Sequence, residues 1–209
     1  MPDLSYEKAA VKRGDAVSLL SVAGIDEAGR GPLAGPVSAA AVILPKGFRH
    51  DLLDDSKKLS EKKRELIYED LMADDGVVWG HSFAERDEID EINILKATHA
   101  AMGRAAGQLG VDSIYCLIDG LAVPNFPFAS EGIVKGDGKS LSIAAASITA
   151  KVVRDRKMLE YAEEFPEYGF ERHKGYGTKF HLEALREYGP TKIHRQSFAP
   201  VAQLSLPLE

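Results

Sequence analysis

Ser21-Val22-Ala23-Gly24-Ile25-Asp26-Glu27 starts as a short apolar run and ends in two adjacent acids. The apolar part predicts a strand over residues 21–26, and a second apolar run, bounded by two prolines, predicts another over residues 37–44. Only a short segment rich in glycine and proline separates the two runs, so we expect them to pair as an antiparallel hairpin.

The rest of the chain alternates between helical and extended patterns of apolar residues. Further strands are predicted over residues 77–85 and 113–119, and helices over residues 61–72, 93–109, 141–165 and from about 178 to before 189. Ser60 and Ser140 are expected to cap the helices that begin at residues 61 and 141. In the first of these two helices Leu66, Ile67 and Leu71 are expected to share the buried face. Strands alternating with helices indicate an α/β protein in which helices flank a mixed sheet and the C-terminal portion is helical.

The composition is that of an ordinary globular protein of 209 residues, enough for one substantial core. No apolar run is long enough to span a bilayer, and the N-terminus lacks the order of a secretory signal. Cys116 is the single cysteine, which excludes an internal disulfide and favours a buried thiol in a reducing compartment. We therefore expect a cytoplasmic protein without membrane contact, and a monomer as the default.

The net charge of −6 would by itself argue against a nucleic-acid partner. The charges are unevenly distributed, however, because residues 151–209 hold 10 Lys and Arg against 9 Asp and Glu. An acidic half that binds cations and a near-neutral half with clustered bases can still bind phosphates locally. Composition therefore leaves the partner open.

Asp26 and Glu27 are the first candidate site residues, although the pair taken alone favours two solvated acids in a surface loop. Neighbouring side chains of a strand point to opposite faces, so both acids reach one site only if the backbone turns there. Gly29 and Gly31 supply the freedom for such a turn. Asp119 strengthens the case, because it ends an apolar strand at the edge where open α/β sheets place their sites.

Asp137 is the fourth candidate acid, and a turn or helix-cap role explains it as well as a site does. If the acids converge, two unit charges at about 4 Å repel by roughly 4 kcal/mol at an effective dielectric near 20. Oxygen ligands of this kind suit Mg²⁺ or Mn²⁺. Two such ions can activate water for phosphoryl hydrolysis without a covalent intermediate, so the pattern favours a metal-dependent nuclease.

Several colinear motifs resemble those of ribonuclease HII, over about residues 20–200. The matching stretches are Gly24-Ile25-Asp26-Glu27-Ala28-Gly29-Arg30-Gly31-Pro32-Leu33-Ala34-Gly35, Asp55-Ser56-Lys57-Lys58-Leu59-Ser60, Glu88-Ile89-Asp90-Glu91-Ile92-Asn93-Ile94-Leu95, Ile118-Asp119-Gly120, Val134-Lys135-Gly136-Asp137, Ala145-Ala146-Ser147-Ile148-Thr149-Ala150-Lys151-Val152 and His173-Lys174-Gly175-Tyr176. The related ribonuclease HIII class usually has an extra N-terminal domain. Only about 20 residues precede the first predicted strand, which favours the HII class.

The resemblance implies a ribonuclease H-like fold and a two-metal site with Mg²⁺ or Mn²⁺. It implies an endonuclease that cuts the RNA strand of RNA–DNA hybrids. It also implies incision 5′ of single ribonucleotides embedded in duplex DNA, leaving 3′-hydroxyl and 5′-phosphate ends, as in ribonucleotide excision repair. The implied metal ligands and catalytic residues are Asp26, Glu27, Asp119 and Asp137.

The same resemblance assigns substrate contacts. Gly29-Arg30-Gly31 matches the segment whose backbone contacts the 2′-hydroxyl, and Tyr176 matches the tyrosine that packs on the sugar at the RNA–DNA junction. We expect Lys57 and Lys174 to contact phosphates, and Ser147 and Lys151 to bind the substrate as well. Arg154 and Arg156, by contrast, are expected to lie on solvated helix faces.

Leu121 and Gln196 depart from the commonest residues of the family, Asn and Arg, which bears on substrate preference and not on the metal site. The resemblance also sets the expected organisation: an N-terminal extension over residues 1–20, a catalytic domain with its C-terminal helices over residues 21–200, and a tail over residues 201–209. The tail resembles the short peptide that binds the bacterial DNA sliding clamp. Its matching residues are Gln203, Leu204, Leu206 and Leu208, and a merely packed or disordered tail is the alternative.

Three other functions are compatible with parts of the sequence. A dinucleotide-binding oxidoreductase would use the glycines after the first strand, but Pro32 and Pro36 interrupt the helix that should receive the pyrophosphate. A non-catalytic nucleic-acid-binding module on the same fold is disfavoured by acids at all four matched positions. Another two-metal nuclease or integrase of the superfamily is disfavoured by the ribose-related Gly29-Arg30-Gly31 and Tyr176.

Overall fold

One mixed sheet organises the protein, whose computed structural model describes residues 1–53 and 59–204. The strands are β1 (Val22–Ala28), β2 (Val37–Ile43), β3 (Val78–Ala84), β4 (Tyr115–Asp119) and β5 (Ala129–Ile133). Within the described ranges the strand order is β3-β2-β1-β4-β5. Strand β1 pairs antiparallel with β2 and parallel with β4, so the predicted hairpin and the mixed sheet are both confirmed.

Helices cover both faces of this sheet. They are α1 (Ser5–Arg13), α2 (Glu61–Ala73), α3 (Arg86–Ile92), α4 (Ile94–Gly107), α5 (Leu141–Glu164), α6 (Phe170–His173), α7 (Lys179–Tyr188) and α8 (Ala199–Ala202). Short 3₁₀ turns lie at Leu19–Ser21, Gly136–Gly138 and Pro166–Tyr168. In the part of the chain that the structure describes, no helix is long and apolar enough to cross a membrane.

The two faces of the sheet bury separate apolar clusters. Alanines of α4, among them Ala97, Ala101 and Ala105, pack with Ile25 and Ile118 on one face. The opposite face is covered by α5 and α2, whose buried residues pack against those of β2 that point that way. Because both sides are covered, β1 and β4 are buried along their length and only their ends reach solvent.

Helix starts agree with the predicted caps. The Ser60 side chain accepts a hydrogen bond from the Lys63 amide, and the Ser140 hydroxyl accepts one from the Ile143 amide. The prediction that Leu66 lies on the buried face is wrong, because Leu66 is 46% exposed while Ile67 and Leu71 are buried. The helix is rotated so that only a narrow stripe faces the sheet.

Five elements were not predicted from the sequence, namely α1, α3, β5, α6 and α8. The edge strand β5 contains Glu131 and Gly132 and shows little apolar alternation, so its extended form depends on its parallel pairing with β4. Helix α1 lies in the segment expected to be an N-terminal extension. Its Glu7 is buried and accepts hydrogen bonds from the Ser140 hydroxyl and the Ser142 amide, which attaches α1 to the start of α5.

Candidate functional site

The ends of two adjacent parallel strands create the site. The paired register of β1 and β4 runs to Ile25 opposite Ile118. Asp26 and Asp119 follow at the next position of each strand. Because paired strands lie about 4.8 Å apart, this register brings two carboxylates side by side at the sheet edge.

A cavity of about 270 Å³ opens at this edge and collects most of the predicted site residues. Its lining consists of Asp26, Glu27, Ala28, Gly29, Arg30, Gly31, Arg64, Asp119, Ser147, Lys151 and Tyr176. Three predicted acids, the predicted glycine segment and the predicted tyrosine therefore share one cavity. The structure brings them together from β1 and the loop that follows it, from β4 and from the loop after α6.

Asp26 is the most buried acid of the cavity. Burial raises its pKa well above the ordinary value, and the negative charges of Glu27 and Asp119 raise it further. A hydrogen bond from Ser147 and one from the Glu27 amide (2.7 Å) act in the opposite direction. An acid held in this way is electrostatically unfavourable as a bare anion and gains from a nearby positive charge.

Glu27 lines the cavity without the backbone turn that the sequence analysis expected. The predicted turn between the two acids is wrong, because β1 continues through Ala28 and both acids pair with β2 as regular strand residues. Asp26 faces Ser147 of α5, whereas Glu27 also borders a second cavity of about 460 Å³ beside Leu95 and His99 of α4. Both acids line one cavity because it wraps around the end of the strand.

Asp137 does not line the cavity that the other three acids share. It is buried in the 3₁₀ turn Gly136–Gly138, directly before the N-cap of α5. The link to the site runs through the turn itself, since the Gly136 amide donates to Asp119 Oδ1 at 2.6 Å. Among residues 1–53 and 59–204, no three acid, histidine or cysteine side chains form a closed metal-binding group.

Two buried arginines hold the loop over residues 29–36. Arg195 donates to the carbonyls of Gly29 (2.6 Å), Arg30 (2.8 Å) and Gly35 (2.8 and 3.0 Å). Arg154 donates to the carbonyls of Pro36, Ala34 and Lys174 at 2.9, 3.2 and 2.9 Å. Burial lowers the pKa of Arg154 to about 10 and that of Arg195 to about 9, so both stay charged at neutral pH.

The expectation of a solvated Arg154 is therefore wrong, whereas Arg156 lies at the surface, where it pairs with Glu65 at 2.6 Å. The four-residue spacing of apolar residues along α5 could have predicted that Arg154 is buried. Arg154 falls four residues after Ala150 and four before Met158, both of which are buried. Residues spaced by four share a helix face, so Arg154 belongs to the buried stripe of α5.

The predicted basic contacts differ in position. Lys151 lines the cavity and pairs with Asp155 at 2.7 Å, and burial lowers its pKa. Lys174 does not line the cavity. Its ammonium instead donates to the Glu171 carbonyl at 2.6 Å. Lys57 lies outside the described residues.

Two arginines at the site were not predicted from the sequence to belong to it. Arg64 of α2 lines the cavity and donates to the Leu59 carbonyl at 2.5 Å, but its sequence neighbours are also charged and gave no distinguishing signal. Arg195 adjoins Gln196, whose amide donates to Asp90 Oδ2 at 2.9 Å. Asp90 thus fixes the segment that carries Arg195. The other departure from the family pattern, Leu121, is 79% exposed beside the site.

Comparison with known proteins identifies the relatives of this chain. The family model described as Ribonuclease HII matches residues 23–201. A ribonuclease HII of Acholeplasma laidlawii (strain PG-8A) is 50% identical over 202 residues, covering 97% of this chain and 96% of the relative.

Solved structures confirm the predicted fold. The structure of the PCNA:RNase HII complex from Archaeoglobus fulgidus matches with a TM-score of 0.71 and 24% identity, covering 90% of this chain and 98% of that chain. The crystal structure of Bst-RNase HIII in complex with Mn²⁺ matches with a TM-score of 0.69 and 17% identity, covering 88% of this chain and 69% of that chain. At these identities the likeness concerns the fold alone.

Gly29 and Gly14 provide a matched test of how the loop is held. Both have positive φ, +92° and +84°, but a Cβ on Gly29 would lie 1.9 Å from Arg154 Nε, whereas nothing lies within 4 Å of one on Gly14. Alanine at either position introduces backbone strain of about 1 kcal/mol. We expect Gly29→Ala to lower the free energy of unfolding by about 2 kcal/mol more than Gly14→Ala, because Arg154 must leave its carbonyls. Urea unfolding measures the difference, and equal losses would contradict the predicted contact.

Proposed function

The chain belongs to the ribonuclease HII family and is a ribonuclease H endonuclease that leaves 5′-phosphate products. From this premise we propose that it incises duplex DNA on the 5′ side of single embedded ribonucleotides and also cuts the RNA strand of RNA–DNA hybrids. We further propose that residues 21–200 form its catalytic domain and that it acts in cytoplasmic ribonucleotide excision repair.

One observation carries this proposal: the acids and the ribose-related residues line the same cavity. Asp26 and Asp119 lie beside the backbone of residues 29–31, and Tyr176 closes the same space. A Cβ on Gly31 would lie 3.4 Å from Tyr176 Cε1, so the tyrosine ring stands directly over the glycine backbone. A 2′-hydroxyl bound between them would be held next to the carboxylates, and that group alone distinguishes RNA from DNA at a nucleotide.

We propose that Asp26, Glu27, Asp119 and Asp137 hold two Mg²⁺ or Mn²⁺ ions. The donor set fits, because it offers only oxygens and because Asp26 is buried among like charges. Such ions, when bound, make a coordinated water more acidic and stabilise negative charge on a phosphate. The Mn²⁺ complex of Bst-RNase HIII, a protein of the same fold, accords with this choice of metal.

The chain's own residues would orient the substrate. Ser147 donates to Asp26 and limits how its carboxylate can rotate. Lys151 and Arg64 present positive charge at the cavity wall, where they can bind phosphates on either side of the cut. Arg195 fixes the carbonyls of Gly29 and Arg30, which sets the direction of the peptide planes that face the ribose.

A duplex with one ribonucleotide tests the proposed reaction. The protein is incubated with this duplex, with an all-DNA duplex and with a long RNA–DNA hybrid, in Mg²⁺, in Mn²⁺ and in EDTA. We expect a metal-dependent cut 5′ of the ribonucleotide, cleavage of the hybrid and no cleavage of the all-DNA duplex. Cleavage confined to the hybrid would remove the single-ribonucleotide activity from the proposal.

Asp119→Asn tests the metal assignment. The asparagine side chain keeps an oxygen that can accept the Gly136 amide, so we expect a normal fold and normal duplex binding. Removing the charge should lower kcat by about a thousandfold or more. The control is Asp112→Asn, which changes an exposed acid shortly before β4. Near-normal turnover of Asp119→Asn would overturn the assignment.

We also propose that the tail binds the DNA sliding clamp. Gln203 and Leu204 follow α8 at the surface, while Leu206 and Leu208 lie outside the described residues. The fold relative from Archaeoglobus fulgidus is a complex with PCNA, a sliding clamp. Deletion of residues 203–209 should abolish capture by immobilised bacterial clamp while leaving kcat/KM on a short duplex unchanged. Unchanged capture, with Glu209→Gln as the control variant, would refute the tail as the docking segment.

A further inference from the structure

Three buried histidines lie beneath the loop that carries Tyr176. His181 and His194 are fully buried, and His173 is nearly so. The rings of His173 and His181 stack at 4.7 Å, and His181 Nε2 lies 3.0 Å from His194 Nε2. None of the three lines the proposed catalytic cavity, and the proposed reaction does not use them.

The hydrogen-bond partners fix the protonation of each ring. The Thr191 amide can only donate, so His194 Nδ1, 2.9 Å away, must accept. A neutral His194 then carries its proton on Nε2 and donates it to His181 Nε2. His181 in turn carries its proton on Nδ1, which lies 2.9 Å from the Tyr176 carbonyl, an acceptor only. One direction of donation therefore runs from Thr191 through two rings to Tyr176.

Burial keeps this chain of bonds neutral. Desolvation lowers the pKa of His181 to about 4 and that of His194 to about 3, so neither ring is charged at neutral pH. Aromatic rings surround both, with Phe170 edge-on to His181 at 5.3 Å. A protonated pair would also place two N–H groups against each other at Nε2, which the geometry does not accommodate.

The Tyr176 loop needs such support because its backbone is unusual. Lys174 and Gly175 are both left-handed, with φ of 49° and 85°. For a residue with a Cβ, such as Lys174, this conformation persists only where its surroundings hold it. The Gly175 amide donates to His173 Nδ1 at 3.2 Å, and the Tyr176 carbonyl accepts from both the Thr178 amide and His181.

We propose that His194 and His181 are positioning residues that act as a hydrogen-bond relay. The relay fixes the Tyr176 peptide and thereby holds the Tyr176 ring over Gly31, where it contacts the ribose. This inference rests on the proposed function of Tyr176. Because His194 adjoins Arg195, one dipeptide then supports both walls of the ribose site: Arg195 holds the glycine wall, and His194, through His181, holds the tyrosine wall.

Paired substitutions separate the relay from simple core packing. His194→Leu removes the donor to His181, whereas His194→Gln keeps an amide donor near the same point. Likewise His181→Leu removes the donor to Tyr176, and His181→Asn places an amide near Nδ1. We expect each Leu variant to lower kcat/KM on the single-ribonucleotide duplex about tenfold, the effect of one lost hydrogen bond, mainly through KM. The Gln and Asn variants should restore it to within about threefold.

A double-mutant cycle with Tyr176→Ala supplies the decisive readout. If the relay acts through the tyrosine ring, His194→Leu should change kcat/KM less than about twofold in the Tyr176→Ala background. Phe170→Leu is the control, because it disturbs the same core without removing a hydrogen-bonding group of the relay. Its effect on kcat/KM should be small and the same in both backgrounds. Each variant is assayed at a temperature where circular dichroism shows it folded.

The outcomes distinguish the relay from the proposed function. If Tyr176→Ala leaves kcat/KM unchanged, the proposed ribose contact is wrong and the positioning role is refuted with it. If Tyr176→Ala lowers kcat/KM while the His194→Leu effect persists undiminished in that background, the ribose contact stands and the relay alone is overturned. Histidine ¹⁵N spectra of the wild-type protein at pH 7 add a readout independent of activity. Protonation of His181 on Nε2 in those spectra would also overturn the relay.

Discussion

The hydrogen bonds from two buried guanidinium groups to backbone carbonyls are the interaction on which the site depends. Arg154 and Arg195 are almost inaccessible to solvent, and burying an unpaired charge costs several kcal/mol. Their charge-assisted bonds to the carbonyls of residues 29–36 and of Lys174 offset that cost. Because a guanidinium is a rigid fork, it fixes the direction of several peptide planes at once. The loop over residues 29–36 is therefore held by directed hydrogen bonds as well as by packing.

The acids and the basic side chains of the cavity wall complement each other electrostatically. Parallel strands β1 and β4 deliver Asp26 and Asp119 to the same edge, where burial, and then the negative charges of Glu27 and Asp119, raise the pKa of Asp26. The helices that cover both faces leave this edge as the open part of the sheet. Positive side chains at the cavity wall, among them Lys151, then face a region that is otherwise negative. A polyanion can approach such a site only along its basic rim or together with cations.

Periodicity and caps predicted the elements that bury a continuous apolar face. The strands β1, β2 and β4 and the caps of α2 and α5 follow from local pattern, and the register that pairs Ile25 with Ile118 follows once β1 and β4 are neighbours. The family resemblance, and not periodicity, indicated that Tyr176 belongs with the acids. Strand β5 could not be predicted, because its stability comes from pairing and not from its own residues. Neither could the role of Arg195, since a buried arginine bound to carbonyls leaves no pattern in the sequence around it.

If the two guanidinium groups hold the loop over residues 29–36 in its active geometry, Arg195→Lys should lower kcat/KM on a duplex with one ribonucleotide. Lysine keeps the positive charge but cannot reach the carbonyls of Gly29, Arg30 and Gly35 together. We expect a folded variant whose kcat/KM falls about a hundredfold, as for a catalytic geometry displaced by about 1 Å. A folded Arg195→Lys variant within about threefold of the wild-type kcat/KM would contradict it.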